Sequence, residues 1–202
     1  MADNQNLSWQ EPRPWQIASD ATSFTFYSYA AGIYKDDGAL NSATTYTSNT
    51  IKTNSTFRLR FEVANLGTSG GNITRRLEFQ ENGGAWTQLT TNSNNVRLID
   101  STYFTDGAAT TSKLPPHGTF IAGQGKDTGS DTSPLSLNAN YYTEDEYALS
   151  FQDAASGNSY AFRITDAGTA LTAAYGNTTI AAMTGQYIGG TGDGWSASGT
   201  ND

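Results

Sequence analysis

The chain reads as all-β: an antiparallel β-sandwich of immunoglobulin or jelly-roll type, preceded by an extended N-terminal arm. Three observations predict this. Apolar and polar residues alternate in short runs, as expected where successive strand side chains point to opposite faces. Turn-forming residues separate those runs roughly every 8–12 residues. Neither a heptad repeat nor a helix-length apolar stripe is present. The expected organisation is an arm over residues 1–22, a sandwich domain over 23–184 and a loose Gly/Ser/Asp-rich tail over 185–202.

In the arm, Trp9-Gln10-Glu11-Pro12-Arg13-Pro14-Trp15 has two prolines that fix an extended course and two large aromatics with little around to bury them. It either folds back on its own domain or docks on a neighbouring subunit. Trp9, Pro12, Pro14 and Trp15 are therefore the expected partner contacts. Residues 23–34 carry aromatics on both faces and read as a strand, closed by the turn Asp36-Asp37-Gly38. A short Thr-rich strand follows over residues 44–53.

Phe57-Arg58-Leu59-Arg60-Phe61-Glu62-Val63 is the clearest strand, with four apolar side chains on one face and three charged ones on the other. That pattern predicts a half-buried strand whose charged face is turned away from the core. After a loop over residues 65–72, residues 75–80 form a strand with Leu77 and Phe79 inward. Glu81-Asn82-Gly83-Gly84 is a hairpin turn whose glycines accept positive φ, and residues 86–89 return from it. Residues 96–99 form another short strand.

Residues 105–140 lack periodicity and contain Lys113-Leu114-Pro115-Pro116-His117-Gly118, which reads as a functional loop or one ordered by a neighbour. Residues 147–151 and 160–165 alternate again and read as a hairpin around residues 153–158. Residues 171–175 and 178–183 are the last expected strands, and residues 167–174 hold at most one helical turn.

The net charge is −8, with eleven Lys and Arg against nineteen Asp and Glu. No basic face is available for nucleic-acid phosphates or an anionic membrane. The chain has no Cys, so no disulfide braces the fold. Met1-Ala2-Asp3-Asn4-Gln5-Asn6 lacks the basic and apolar regions of a signal peptide, and no apolar run approaches the roughly 20 residues that span a bilayer.

Reactive chemistry is sparse. A catalytic triad needs a histidine base, and His117 is the only one, in a loop where an exposed side chain is expected. A His/Cys zinc site is excluded by count. Calcium needs only oxygens, and Asp127-Thr128-Gly129-Ser130-Asp131, Glu144-Asp145-Glu146 and Asp36-Asp37 are candidates, although none fits an EF-hand loop. Glu62, Glu78 and Glu146 are the acids a glycosidase pair would draw on. Cross-strand ion pairs with Arg58, Arg60, Arg76 and Arg163 account for them more simply. For a glycan ligand, Trp86, Trp195, Tyr141 and Tyr142 are the candidate stacking platforms. The expectation is a protein without catalytic residues or an obligatory cofactor.

Two stretches carry a resemblance. Phe57-Arg58-Leu59-Arg60-Phe61 followed by Glu81-Asn82-Gly83-Gly84-Ala85-Trp86 is one. Thr143-Glu144-Asp145-Glu146-Tyr147 leading to Tyr160-Ala161-Phe162-Arg163-Ile164-Thr165-Asp166-Ala167-Gly168 is the other. Together, over roughly residues 55–182, they resemble an immunoglobulin-like β-sandwich module of phage and bacterial surface and structural proteins. The resemblance implies display or adhesion and not a reaction. With no signal peptide at the start, it points to a structural virion protein of a tailed phage: a capsid decoration protein or a tail or fibre subunit. Such a protein is made in the host cytoplasm and contacts other virion subunits or itself. The alternative is a carbohydrate-binding or adhesin module, secreted or on a bacterial cell surface.

Overall fold

In a computed structural model the chain is described over residues 24–28, 30–46, 50–155, 157–171 and 181–186. The expected arm, with Trp9, Pro12, Pro14 and Trp15, lies outside the described residues, as do Trp195 and the tail from residue 187. Among the described residues the structure is all-β. In chain order the strands are β1 (Phe26–Tyr27), β2 (Ala31–Lys35), β3 (Thr50–Lys52), β4 (Thr56–Asn65), β5 (Gly71–Ile73), β6 (Arg75–Glu81), β7 (Trp86–Gln88) and β8 (Val96–Leu98). They continue with β9 (Thr119–Phe120), β10 (Gly125–Lys126), β11 (Leu135–Leu137), β12 (Tyr141–Phe151), β13 (Ser159–Asp166), β14 (Thr169–Ala170) and β15 (Ala181–Gln186).

Strands β4 and β12 form the spine of the first sheet. They pair antiparallel from Thr56↔Ser150 to Asn65↔Tyr141. Strands β1 and β2 add to the free edge of β4, and β8, β9 and β10 share the free edge of β12. In the second sheet, β6 and β13 pair antiparallel in the centre, with β7 beyond β6 and with β15, β3 and β14 on the β13 side. Most pairings are antiparallel, but β9–β12, β10–β12 and β3–β15 are parallel. A two-stranded ribbon of β5 and β11 completes the fold.

The two sheets face each other across one apolar core. Phe57, Leu59, Phe61 and Val63 of β4, with Tyr147, Leu149 and Phe151 of β12, meet Leu77 of β6 and Tyr160, Phe162 and Ile164 of β13. The Phe151 ring lies 5.1 Å from Phe57 and 4.8 Å from Tyr160, which bridges the sheets. Burial of each such side chain contributes roughly 1.5–3 kcal/mol.

Local chemistry sets the turns. Asn82 (φ 49°) and Gly83 (φ 73°) are both left-handed, and the Gly84 amide donates to the Glu81 carbonyl at 2.8 Å, so the predicted β6–β7 hairpin has the twist that suits paired strands. Gly118 has φ +120°, and a Cβ there would collide with the Asn140 carbonyl oxygen. That close approach lets the Thr119 amide donate to the same oxygen at 2.9 Å and starts β9 along β12.

Two expectations need correcting. Residues 147–151 and 160–165 are not a hairpin: β12 pairs with β4, β13 pairs with β6, and the chain crosses between the sheets through a 3₁₀ turn at Asp153–Ala155. Both segments have an apolar face, and those faces bury each other instead of lying side by side. At the end of β13, Ala167 and Gly168 at positive φ turn the chain back into β14. Finally, β4 is not half-buried. Arg58, Arg60 and Glu62 are as buried as Phe57 and Leu59, because the chain between β8 and β10 folds over their face.

Candidate functional site

The outer face of the β4–β12 pair carries Arg58, Arg60 and Glu62 from one strand and Glu144 and Glu146 from the other, all fully buried. Strand alternation places them there. Register puts Arg60 opposite Glu146 and Glu62 opposite Glu144. An isolated buried ion is costly, so each charge needs a partner. The Glu146 carboxylate accepts from Arg58 Nη1 at 3.0 Å and from Arg60 Nε at 2.5 Å. Arg60 Nη1 reaches Glu144 at 2.8 Å.

The covering loops supply the remaining partners. Arg58 pairs with Asp36 through Nε at 2.6 Å and donates to the Gly38 carbonyl at 2.7 Å. Arg60 donates to the carbonyls of Leu40 at 2.8 Å and Thr111 at 2.5 Å. Glu144 accepts from the amides of Lys113 and Leu114 at 3.0 Å. Lys113 itself donates to the Ala43 carbonyl and lies over the Tyr34 ring, and burial lowers its pKa. The charged face is thus the attachment surface for residues 36–43 and 101–117.

Glu62 differs from its neighbours. Both of its oxygens contact His117 Nδ1, at 2.8 and 2.9 Å, and it stands opposite the like-charged Glu144. Burial pushes its carboxyl up to about 6; the His117 contact acts in the opposite direction. The sole histidine is therefore held at a buried carboxylate and is not a free loop side chain; its ring remains 38% exposed. A second charged pair lies between the sheets, where Asp145 receives both Arg75 Nε at 2.8 Å and Arg75 Nη2 at 2.9 Å.

The other predicted site residues separate into used and displaced. Glu78 is bound by Arg163, and Arg76 holds Asp131 through two hydrogen bonds of 2.7 Å. Glu144-Asp145-Glu146 is consumed in ion pairs, and Asp36 is taken by Arg58. Among the described residues no three His, Cys, Asp or Glu side chains gather as a metal-ligand set. Of the aromatic platforms, Tyr142 is buried with its hydroxyl 2.7 Å from Ser112 Oγ, and Tyr141 packs against the core. Trp86 carries the Arg163 guanidinium over its ring at 4.3 Å.

Among the described residues the exposed aromatics are Phe24 and Tyr103, and sequence reasoning missed Tyr103. It is 47% exposed and, with Phe104, separates two open clefts of about 520 and 310 Å³. Asp100, Thr102, Thr105, Asp106 and Asp127 line the larger; Leu40, Asn41 and Ala108 line the smaller. Phe104 and Tyr103 lie 4.9 and 5.8 Å from the Arg58 guanidinium, so the buried charges also support the ridge between the clefts. Nothing in the spacing of these loop residues announces the ridge.

No family model matches the chain, and neither a curated protein nor a solved structure is significantly similar to it. Among the described residues no helix is long and apolar enough to cross a membrane.

Glu62 yields a prediction with a definite sign. Its folded-state pKa is raised above the ordinary 4.5 to about 6, so its contribution is fully present below the ordinary value and is lost as pH rises through 6. Glu62→Gln keeps the acceptor for His117 and removes the ionisation. Between pH 4.5 and 7.5, urea unfolding should show the variant gaining about 1–2 kcal/mol relative to wild type. A difference that does not vary with pH would contradict the assignment.

Proposed function

We propose that this chain is a non-catalytic structural subunit of a virion, a capsid decoration protein or a tail or fibre component of a tailed phage, acting through protein–protein contacts. The observation that carries the reading is where the charged side chains are spent. Glu78, Glu144 and Glu146, from which acid–base chemistry would be drawn, are engaged in ion pairs with arginines of the neighbouring strand, and Glu62 is engaged by the His117 ring. The product is a stiff domain without disulfides, which suits a building block. The two facing sheets support an immunoglobulin- or jelly-roll-like sandwich, and the motifs that straddle β4, β6, β12 and β13 support the kinship with phage and surface modules.

In this reading the segment preceding residue 23 makes the subunit contacts, with Trp9 and Trp15 as anchors. Light scattering of the purified chain should show self-association. Removal of residues 1–22 should leave a folded domain that no longer associates. An unchanged association state after the deletion would contradict the proposed role of the arm.

A second reading, a glycan-binding or adhesin module, is favoured by one specific feature. Tyr103 presents a half-exposed ring between two clefts whose walls carry hydroxyls and carboxylates, the combination that holds a sugar ring by its face and its edges. On a glycan array the wild type should then retain a ligand that Tyr103→Ala binds at least about tenfold more weakly. Equal retention by the two proteins would remove this reading.

A further inference from the structure

The two clefts at the Tyr103–Phe104 ridge differ in character. The smaller is mostly apolar, with Ala39, Leu40, Ala108 and Ala109 lining it beside the two rings. The larger is acidic: Lys126 is paired with Asp106, and the exposed Asp100 keeps that side negative. An aromatic ridge with an apolar groove on one flank and a carboxylate on the other suits a proline-rich extended segment that carries a cation. Prolines lie against the rings, a neighbouring apolar side chain fills the groove, and the cation meets the acid.

The chain contains such a segment in Trp9-Gln10-Glu11-Pro12-Arg13-Pro14-Trp15. Prolines at 12 and 14 favour a left-handed helix of three residues per turn, a course that sets Trp9 and Pro12 on one edge and Arg13 on a different edge from Glu11. Arg13 is the only basic side chain among residues 1–22. The chain enters β1 beside the Asn65 end of β4, where the Thr25 amide donates to Asn65 Oδ1 at 3.2 Å. The ridge packs on Arg58, about 23 Å back along the same strand. To reach its own clefts the arm would have to run that distance over the loops that already cover β4. The clefts of a neighbouring copy are open to it directly.

We propose that the paired clefts at Tyr103 receive residues 9–15 of a second copy of this chain, with Trp9 in the apolar cleft, Pro12 on the Tyr103 ring and Arg13 facing Asp100. The proposal rests on the reading in which residues 1–22 make the subunit contacts, and it names the surface on which they dock. The contact joins arm to cleft, two different surfaces, so each subunit can give one and receive one. Because the Arg58 guanidinium backs both rings, the receiving surface is set before the arm arrives.

The test follows self-association of the full chain by sedimentation equilibrium. Wild type should associate. Ala109→Arg, which fills the apolar cleft from an exposed position, and Tyr103→Ala should each weaken association at least about tenfold. A chain carrying both Trp9→Ala and Arg13→Glu should weaken it as much. The decisive sample is a mixture. The arm variant keeps an intact cleft and Ala109→Arg keeps an intact arm, so together they should form a one-to-one complex that neither forms alone. Tyr103→Ala takes the place of Ala109→Arg in the mixture should the latter fail to fold. If the arm variant dissociates while both cleft variants associate like wild type, the arm keeps its role but docks elsewhere, which overturns this proposal alone. A mixture that yields no complex overturns it as well. Loss of a glycan by Tyr103→Ala with association intact would assign the ridge to sugar and overturn it too. A wild type that stays monomeric would end both this proposal and the reading beneath it.

Discussion

The structure depends on a layer of charge that has no access to water. The outer face of the β4–β12 pair holds two arginines and three glutamates at zero exposure, so the energetics of that face are those of ions removed from solvent. Such pairs contribute little net stability compared with apolar side chains of the same volume. Removal of one member, however, leaves its partner stranded, at a cost of about 3–5 kcal/mol. What they supply is specificity of position. Arg58 and Arg60 together engage Asp36, Gly38, Leu40 and Thr111, and Glu144 engages the amides of Lys113 and Leu114. No shift of these loops keeps all of those bonds.

That constraint accounts for the placement of the clefts. The chain leaving β8 turns at Ser101, whose hydroxyl donates to Asp36, the same carboxylate that pairs with Arg58. Tyr103 and Phe104 follow against the Arg58 guanidinium. Asp127 enters from the end of β10, which is fixed along β12 by pairing through Gly125 and Lys126. The ridge and the acidic cleft beside it are thus held by the same ions that hold the loops. A binding surface built in this way is preorganised, which lowers the ordering cost of contact with a partner or ligand.

The all-β class and the longest strands were legible because alternation reports directly on side-chain direction. Phe57, Leu59, Phe61 and Val63 are inward as their spacing requires. Burial of the opposite face was not legible, since it depends on a covering segment whose contacts are side chain to backbone and leave no periodic trace. Glu144-Asp145-Glu146, a calcium candidate by its oxygens alone, lies within β12 with arginines to meet it on both faces. One signal was present. Arginines two apart at 58 and 60 and glutamates two apart at 144 and 146 are the matched period of two strands that pair. The hairpin misreading between 147–151 and 160–165 has a related origin, because alternation fixes which face is apolar and not which strand lies alongside. Tyr103 was beyond sequence reasoning, since its meaning comes from the clefts it lines.

Native-state hydrogen exchange tests most directly whether buried ions lock the loop layer to the sandwich. The amides of Lys113 and Leu114, bonded to Glu144, and of Ile121, bonded to the Tyr142 carbonyl, should exchange only as slowly as those of Leu59 and Leu149 in the sheet, through global unfolding. Exchange of the loop amides orders of magnitude faster, with the sheet still protected, would mean that the layer opens on its own and would contradict the account.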